Sequence, residues 1–208
     1  MQNHPERREQ LMKIALELYA TNGYPATKVS SIVKRAGVAQ GTFYWHFKSK
    51  KDIALAILKE GELALLQVIQ EGYRKDVGTI DEMIASSTSL MTHLFTFAKE
   101  ERYLMTLLFL TGHDADEEII DLISKINKDL EDAFSRNIHR AQELGMLKSK
   151  STEDLRASML TSLVKGMMQR WLFHSDETTD SIHVMTPQTI AKEIVDFEFF
   201  GLLGKRID

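Results

Sequence analysis

Apolar residues recur at three- and four-residue intervals along almost the whole chain, and no convincing stretch alternates with a period of two. Such a pattern belongs to helices that bury one face, and it predicts an all-α protein of about nine helices. Leu11, Ile14, Ala15, Leu18 and Tyr19 form the first stripe, which stops near Thr21 because Asn22-Gly23 offers a left-handed ending. Thr27 is expected to cap a short helix through Arg35, with Ile32, Val33 and Ala36 inward. Gly37 breaks it, and another short helix begins at Ala39 or Gln40.

Ser49-x-x-Asp52 and Thr79-x-x-Glu82 have the spacing of capping boxes. The first opens a long helix to about Lys75, anchored by Ile53, Ile57, Leu58, Leu65 and Ile69. The second opens a helix to roughly Ala98, with Ile80, Met83, Leu90, Leu94 and Phe95 inside. Further helices are expected over about 101–110, from "TGHDAD" to Gly145, from a Ser151-x-x-Asp154 cap to about Phe173, and from Thr186-Pro187 onward. "HSDETTDSIHVM" reads as a loop.

The 208 residues, 43% hydrophobic and 27% charged, suit one or two globular domains. Absence of cysteine excludes disulfides and thiolate chemistry and limits any metal to His, carboxylate or carbonyl ligands. "MQNHPERREQ" lacks the apolar core of a secretory signal, and no apolar run approaches a membrane span, so a cytoplasmic protein with no membrane partner is expected. The formal charge of −4 conceals an asymmetry: residues 1–60 carry ten Lys/Arg against five Asp/Glu, and the remainder sixteen against twenty-five. A basic head on an acidic body is what a nucleic-acid-binding module attached to another domain would show.

A short helix, a Gly turn and a second short helix are the ingredients of a helix-turn-helix, whose second helix lies in the DNA major groove. On a helical wheel Phe43 and Phe47 share the buried side and Trp45 lies opposite. Gly41 and Thr42 fall on the same outward arc, with Tyr44 and His46 at its flanks. Gly41 allows close backbone approach, Thr42 offers a hydroxyl and a methyl, Tyr44 and His46 can reach phosphates, and Trp45 can lie on sugars or base edges. Thr27, Lys28, Lys48 and Lys50, at the starts of neighbouring helices, are candidate phosphate contacts.

The segment "ALELYATNGYPATKVSSIVKRAGVAQGTFYWHFKSKKDI" resembles the N-terminal signature of the tetracycline-repressor (TetR) family of bacterial transcription regulators, position by position over about residues 10 to 55. That resemblance implies that Thr42, Tyr44, Trp45 and His46 face DNA, that Lys50 contacts phosphate, and that Gln40 and Thr42 help to read bases. One departure is "SKKD", with Lys51 where the family commonly has Glu; the acid follows as Asp52.

The family resemblance further implies a helix-turn-helix DNA-binding domain over 1–50 and a helical ligand-binding and dimerisation domain over 51–208. The last two long helices are the expected dimer surface, through Leu160, Val164 and Met167 on one and Ile190, Ile194, Phe197 and Phe200 on the other. Candidate ligand contacts are His93, Phe97, Tyr103 and Met105, with Phe109, His113, Met168 and Trp171, because Met and aromatic side chains adapt to apolar ligands. His113 with Asp114 or His93 lacks the spacing of a metal site, so no metal or cofactor is expected. Without G-x-S-x-G, P-loop, G-x-G-x-x-G or H-E-x-x-H there is no sign of an enzyme. The expected function is a homodimeric repressor on a palindromic operator, released by a small, largely apolar effector. The alternative is a ligand-independent DNA-binding or adaptor protein of the same fold.

Overall fold

Left-handed glycines end, and side-chain caps begin, several of the helices in the computed structural model, which describes residues 4–71, 78–112, 115–147, 152–173 and 181–203. Among these residues there are nine α-helices and no strand. They are α1 (His4–Asn22), α2 (Val29–Ala36), α3 (Gln40–His46), α4 (Lys50–Glu71), α5 (Ile80–Glu100), α6 (Arg102–Leu110), α7 (Glu117–Glu143), α8 (Glu153–Phe173) and α9 (Pro187–Phe200). Short 3-10 turns occupy Ser181–Val184, inside the segment expected to be a loop, and Gly201–Leu203.

Gly23 (φ 82°) and Gly37 (φ 65°) take the left-handed conformation that ends α1 and α2, as the sequence predicts. The Thr79 box is complete: Glu82 N–H donates to Thr79 Oγ1 at 3.2 Å, and Thr79 N–H to Glu82 Oε2 at 2.7 Å. The Ser49 box is shifted by one residue. Asp52 N–H donates to Ser49 Oγ at 3.1 Å, but the Asp52 carboxylate accepts from Lys48 N–H at 2.8 Å. Thr186 caps α9 through Thr189 N–H, with Pro187 in the first turn.

Two expectations need correction, and two fall outside the described residues. Thr27 does not cap α2; Lys28 holds that position, and no side chain caps the helix. Ile80, in the first turn of α5, is exposed rather than inside. The Ser151 cap and the stretch of α4 toward Lys75 lie outside the described residues.

The chain forms two compact units. Residues 1–63 and 101–126 make the first, with α6 and α2 packed on α1 and α3 packed on α2. Its fully buried side chains include Leu11, Ile32, Phe43, Ile53 and Leu58. Residues 64–100 and 127–208 make the second, whose main packing is α9 along α5 around Leu94, Phe95, Ile190 and Val195. Helices α4 and α7 each contribute residues to both units.

Candidate nucleic-acid interface and internal cavity

Phe43 and Phe47 anchor α3, fully or almost fully buried, with ring centroids 5.9 Å apart. The helix ends at His46, and Phe47 N–H closes it on the Phe43 carbonyl at 2.9 Å. With those two residues inward, the 100° step per residue turns the others out. Trp45 is 64% exposed and Tyr44 51%, Gln40 and Gly41 are exposed, and Thr42 and His46 are half-buried at the edges. The Trp45 and His46 rings meet edge to face at 4.5 Å. An indole and a phenol left in water lose the apolar burial that such large side chains otherwise gain, so this face is built to be covered.

Around the face, Lys28 and Lys48 are exposed. No side chain caps α2 or α3, which leaves their first N–H groups and positive dipole ends to an anion. Thr27, by contrast, is 3% exposed, and its hydroxyl is directed at the carbonyls of Gly23 (2.8 Å) and Leu18 (3.1 Å). A hydroxyl has one hydrogen, so none remains for a phosphate; Thr27 fastens the turn to α1 instead. Lys50 is partly engaged as well. Its Nζ donates to the Tyr24 carbonyl at 2.9 Å and the Pro25 carbonyl at 3.1 Å and sits 4.3 Å from the centre of the Tyr24 ring. Of its three N–H donors one remains for a phosphate.

Sequence reasoning missed the cluster that fixes this turn. Tyr19 donates to the Lys50 carbonyl at 3.0 Å and packs edge to face on Tyr24 at 5.3 Å, while Tyr24 donates to Asp116 and Lys51 pairs with Glu118. Burial raises both phenols above the ordinary tyrosine range, and for Tyr24 the Asp116 carboxylate adds to it. Lys51, the departure in "SKKD", is thus an ion-pair partner of α7, and its ammonium is raised chiefly by the bond to Glu118.

In the second unit an apolar cavity of about 680 Å³ opens among α5, α7, α8 and α9. Leu90, Met91, Phe134, Ile138 and Leu163 line it, with polar groups from Ser86, Ser87, Asn137, Arg156 and Glu198. Among the described residues, none of the expected ligand contacts lines it. Met105, Met168 and Trp171 are spent on the core: the Trp171 indole donates to the Met185 carbonyl at 3.1 Å and packs 5.6 Å from Phe95. His93 and Tyr103 are exposed, Phe97 and Phe109 are half-buried away from the cavity walls, and His113 lies outside the described residues.

The expected dimer residues also divide. Val164 of α8 is buried within the single chain, as are Ile190 and Ile194 of α9, the helix that packs along α5, so they are interior rather than interface. Leu160 and Phe197 line the cavity, and Met167 and Phe200 are half-buried. The apolar side chains that α8 exposes are Leu155 and Met159, on the side opposite to the one expected.

Residues 11–57 match the family model described as bacterial regulatory proteins, tetR family. An uncharacterised helix-turn-helix transcriptional regulator, YdgC of Bacillus subtilis, is 24% identical over 98% of this chain and 96% of its own. The transcriptional regulator AcrR of Shigella flexneri is 28% identical over 83% and 81%. The crystal structure of the transcriptional regulator FadR from Bacillus subtilis, in complex with stearoyl-CoA, superposes with a TM-score of 0.75 at 22% identity, covering 93% of this chain and 98% of that one. Residues 11–57, whose buried phenylalanines turn an indole and a phenol outward, thus match the helix-turn-helix segment of the tetR family of bacterial regulatory proteins, and the chain is a DNA-binding regulator of transcription.

Proposed function

We propose that this regulator is a ligand-responsive homodimeric repressor acting in the cytoplasm, with residues 1–50 as its DNA-binding domain and 51–208 as its ligand-binding and dimerisation domain. Two copies of α3 enter successive major grooves of a palindromic operator, roughly 34–36 Å apart. Gln40, Gly41, Thr42 and Trp45 meet bases and sugars, while Tyr44, His46, Lys28, Lys48 and the remaining donor of Lys50 meet phosphates. A small, largely apolar effector occupies the cavity and favours a dimer whose heads no longer match the groove spacing, which releases transcription.

The observation that carries the DNA contact is the outward Trp45 and Tyr44 pair on a helix anchored by buried Phe43 and Phe47. The cavity, larger than a buried core normally leaves empty, supports the effector, as does the stearoyl-CoA held by the FadR structure. Leu155 and Met159, exposed on α8, support a dimer surface on that side of the helix.

Selection of bound fragments from genomic DNA, repeated with a panel of metabolites and drugs, tests the whole reading. The expected result is one palindromic site whose affinity falls steeply with salt, together with at least one compound that both weakens operator binding and raises the melting temperature. A protein that binds its operator identically with every compound, and is stabilised by none, rules out the effector.

A further inference from the structure

No Lys, Arg, Asp or Glu stands on α3, whose seven residues run QGTFYWH. Guanine is read in the major groove chiefly by the paired donors of Arg or Lys, and cytosine by an Asp or Glu acceptor, so the helix lacks the usual reader of either. Its outward side carries the amide of Gln40, the methyl and hydroxyl of Thr42 and the exposed indole of Trp45 instead. The His46 ring meets that indole edge to face at 4.5 Å, which limits its freedom before any partner arrives. Gly41 precedes Trp45 by one turn on the same arc. A Cβ added there would meet nothing within 4 Å beyond its chain neighbours and its own helix backbone, so packing within the protein does not call for glycine. The missing side chain leaves space beside the indole. The cations of the head are placed otherwise: Arg35 on α2 pairs with Glu17, and α2, as the first helix of the motif, crosses the backbone of the duplex rather than its base edges.

In the groove an adenine presents N7 and its N6 amino group side by side, which one carboxamide satisfies with two bonds, and a thymine presents its C5-methyl. From this arrangement, and resting on the reading above that α3 enters the major groove, we propose that α3 reads A·T pairs and that the thymine methyl is its main determinant of specificity. Gln40, at the N-terminal end, bonds an adenine, and Trp45 with the Thr42 methyl closes on the C5-methyl of neighbouring thymines. A G·C pair at those steps is rejected, because it offers the indole no methyl and leaves the cytosine amino group without an acceptor against an apolar surface. Each methyl so buried is expected to change affinity about fourfold. A palindromic site repeats the contacts in its second half, so the factors multiply.

The test removes the methyl without touching the protein. A random duplex pool is selected on the full-length protein, and the selected operator is then made with every thymine replaced by deoxyuridine, which keeps the pairing and the O4 acceptor and loses only the methyl. Affinities are read by fluorescence anisotropy at one fixed salt concentration. The expected result is a half-site with A·T pairs at its core and a uracil operator bound about tenfold or more weakly by wild type. In Trp45→Ala the gap between the two operators should shrink below about threefold, whereas Gln40→Ala should keep the gap and lose the preference for adenine at one position of each half. Equal binding of the two operators by wild type overturns the inference, as does a half-site with G·C pairs at its core. A gap undiminished in Trp45→Ala overturns it too, since a uracil effect on DNA stiffness alone would persist there. If a G·C-cored site is selected and its binding is lost in Trp45→Ala, the entry of α3 into the groove stands and the methyl readout falls. If the protein selects no site, or both variants bind the site as wild type does, both readings fall.

Discussion

Tyr24, in the turn that follows α1, donates its hydroxyl to the carboxylate of Asp116, the residue just before α7. Lys51 pairs with Glu118, two residues further on, so two ties bind the start of α7 to the DNA-binding head. Hydrogen bonds to charged groups contribute about 1.5–3 kcal/mol when partly shielded from water. Tyr24→Phe, which keeps the ring on Tyr19 and under Lys50, is expected to cost about 1–2 kcal/mol, and hence to lower the melting temperature by a few degrees. Adding Asp116→Asn to that variant should cost little more, and a double-mutant cycle showing additive losses contradicts the tie. Both phenols are held above their ordinary range, so the native state favours their protonated forms. Stability is therefore complete below about pH 10 and falls as pH rises beyond it, with a shallower slope in Tyr24→Phe.

The recognition face and the residue beneath it should separate in their effects. Trp45→Ala is expected to leave the melting temperature near the wild-type value and to weaken operator binding by about 1–3 kcal/mol. Lys48→Ala should weaken operator and non-specific DNA alike and reduce the salt slope by about 1. Thr27→Val, which removes the buried hydroxyl from the Leu18 and Gly23 carbonyls, should instead destabilise the fold by about 1–3 kcal/mol. If Thr27→Val weakens DNA binding at unchanged stability, Thr27 is a phosphate contact after all.

These differences mark where the sequence was readable. Helix ends at Gly23, Gly37, Thr79 and Thr186 follow from backbone conformation and from bonds within four residues, so local spacing reveals them. The outward face of α3 follows from two phenylalanines and a fixed angular step. Thr27 misled because its hydroxyl could serve a helix start or a neighbouring carbonyl, and only the packing of the turn on α1 decides. The Tyr24 and Asp116 contact joins residues 92 positions apart, for which no periodicity exists. Similarly, Met105 and Trp171 have the chemistry of ligand contacts, yet the same softness and size fill a core equally well, and here they do. Glu198 carries no local signal at all. Its place on the wall of a cavity with residues of α5, α7 and α8 has no counterpart in the local pattern of "DFEFF".

Gly61 of α4 faces Leu104 of α6 so closely that an added Cβ would lie 2.6 Å from both methyl carbons of the leucine. Alanine gains about 1 kcal/mol over glycine inside a helix, but overpacking a filled site costs about 1–3 kcal/mol. Leu104 is 4% exposed and has little room to move, so the clash wins and Gly61→Ala is expected to be destabilising. In a Leu104→Ala background the clash is gone, and the same substitution should stabilise by about 1 kcal/mol. Chemical denaturation of the four proteins tests this change of sign; a Gly61→Ala effect equal in both backgrounds would show that the two helices do not meet there.

The pH dependence of stability tests the state of the Glu198 carboxyl. Its carboxyl is raised to about 7 in the folded protein, whereas an unfolded glutamate titrates near ~4.3. Between those values the folded state holds a proton that the unfolded chain has released. Stability contributed by this group is therefore greatest at the acid end, falls as pH rises through the window, and is level above it. Glu198→Gln has nothing to titrate, so the difference between variant and wild-type stability should grow in the variant's favour from pH 5 to pH 7.5 and then stop growing. Urea melts at half-unit intervals measure that difference directly, and histidine titrations cancel between the two proteins. A difference constant from pH 5 to 8 would place the carboxyl in its ordinary range.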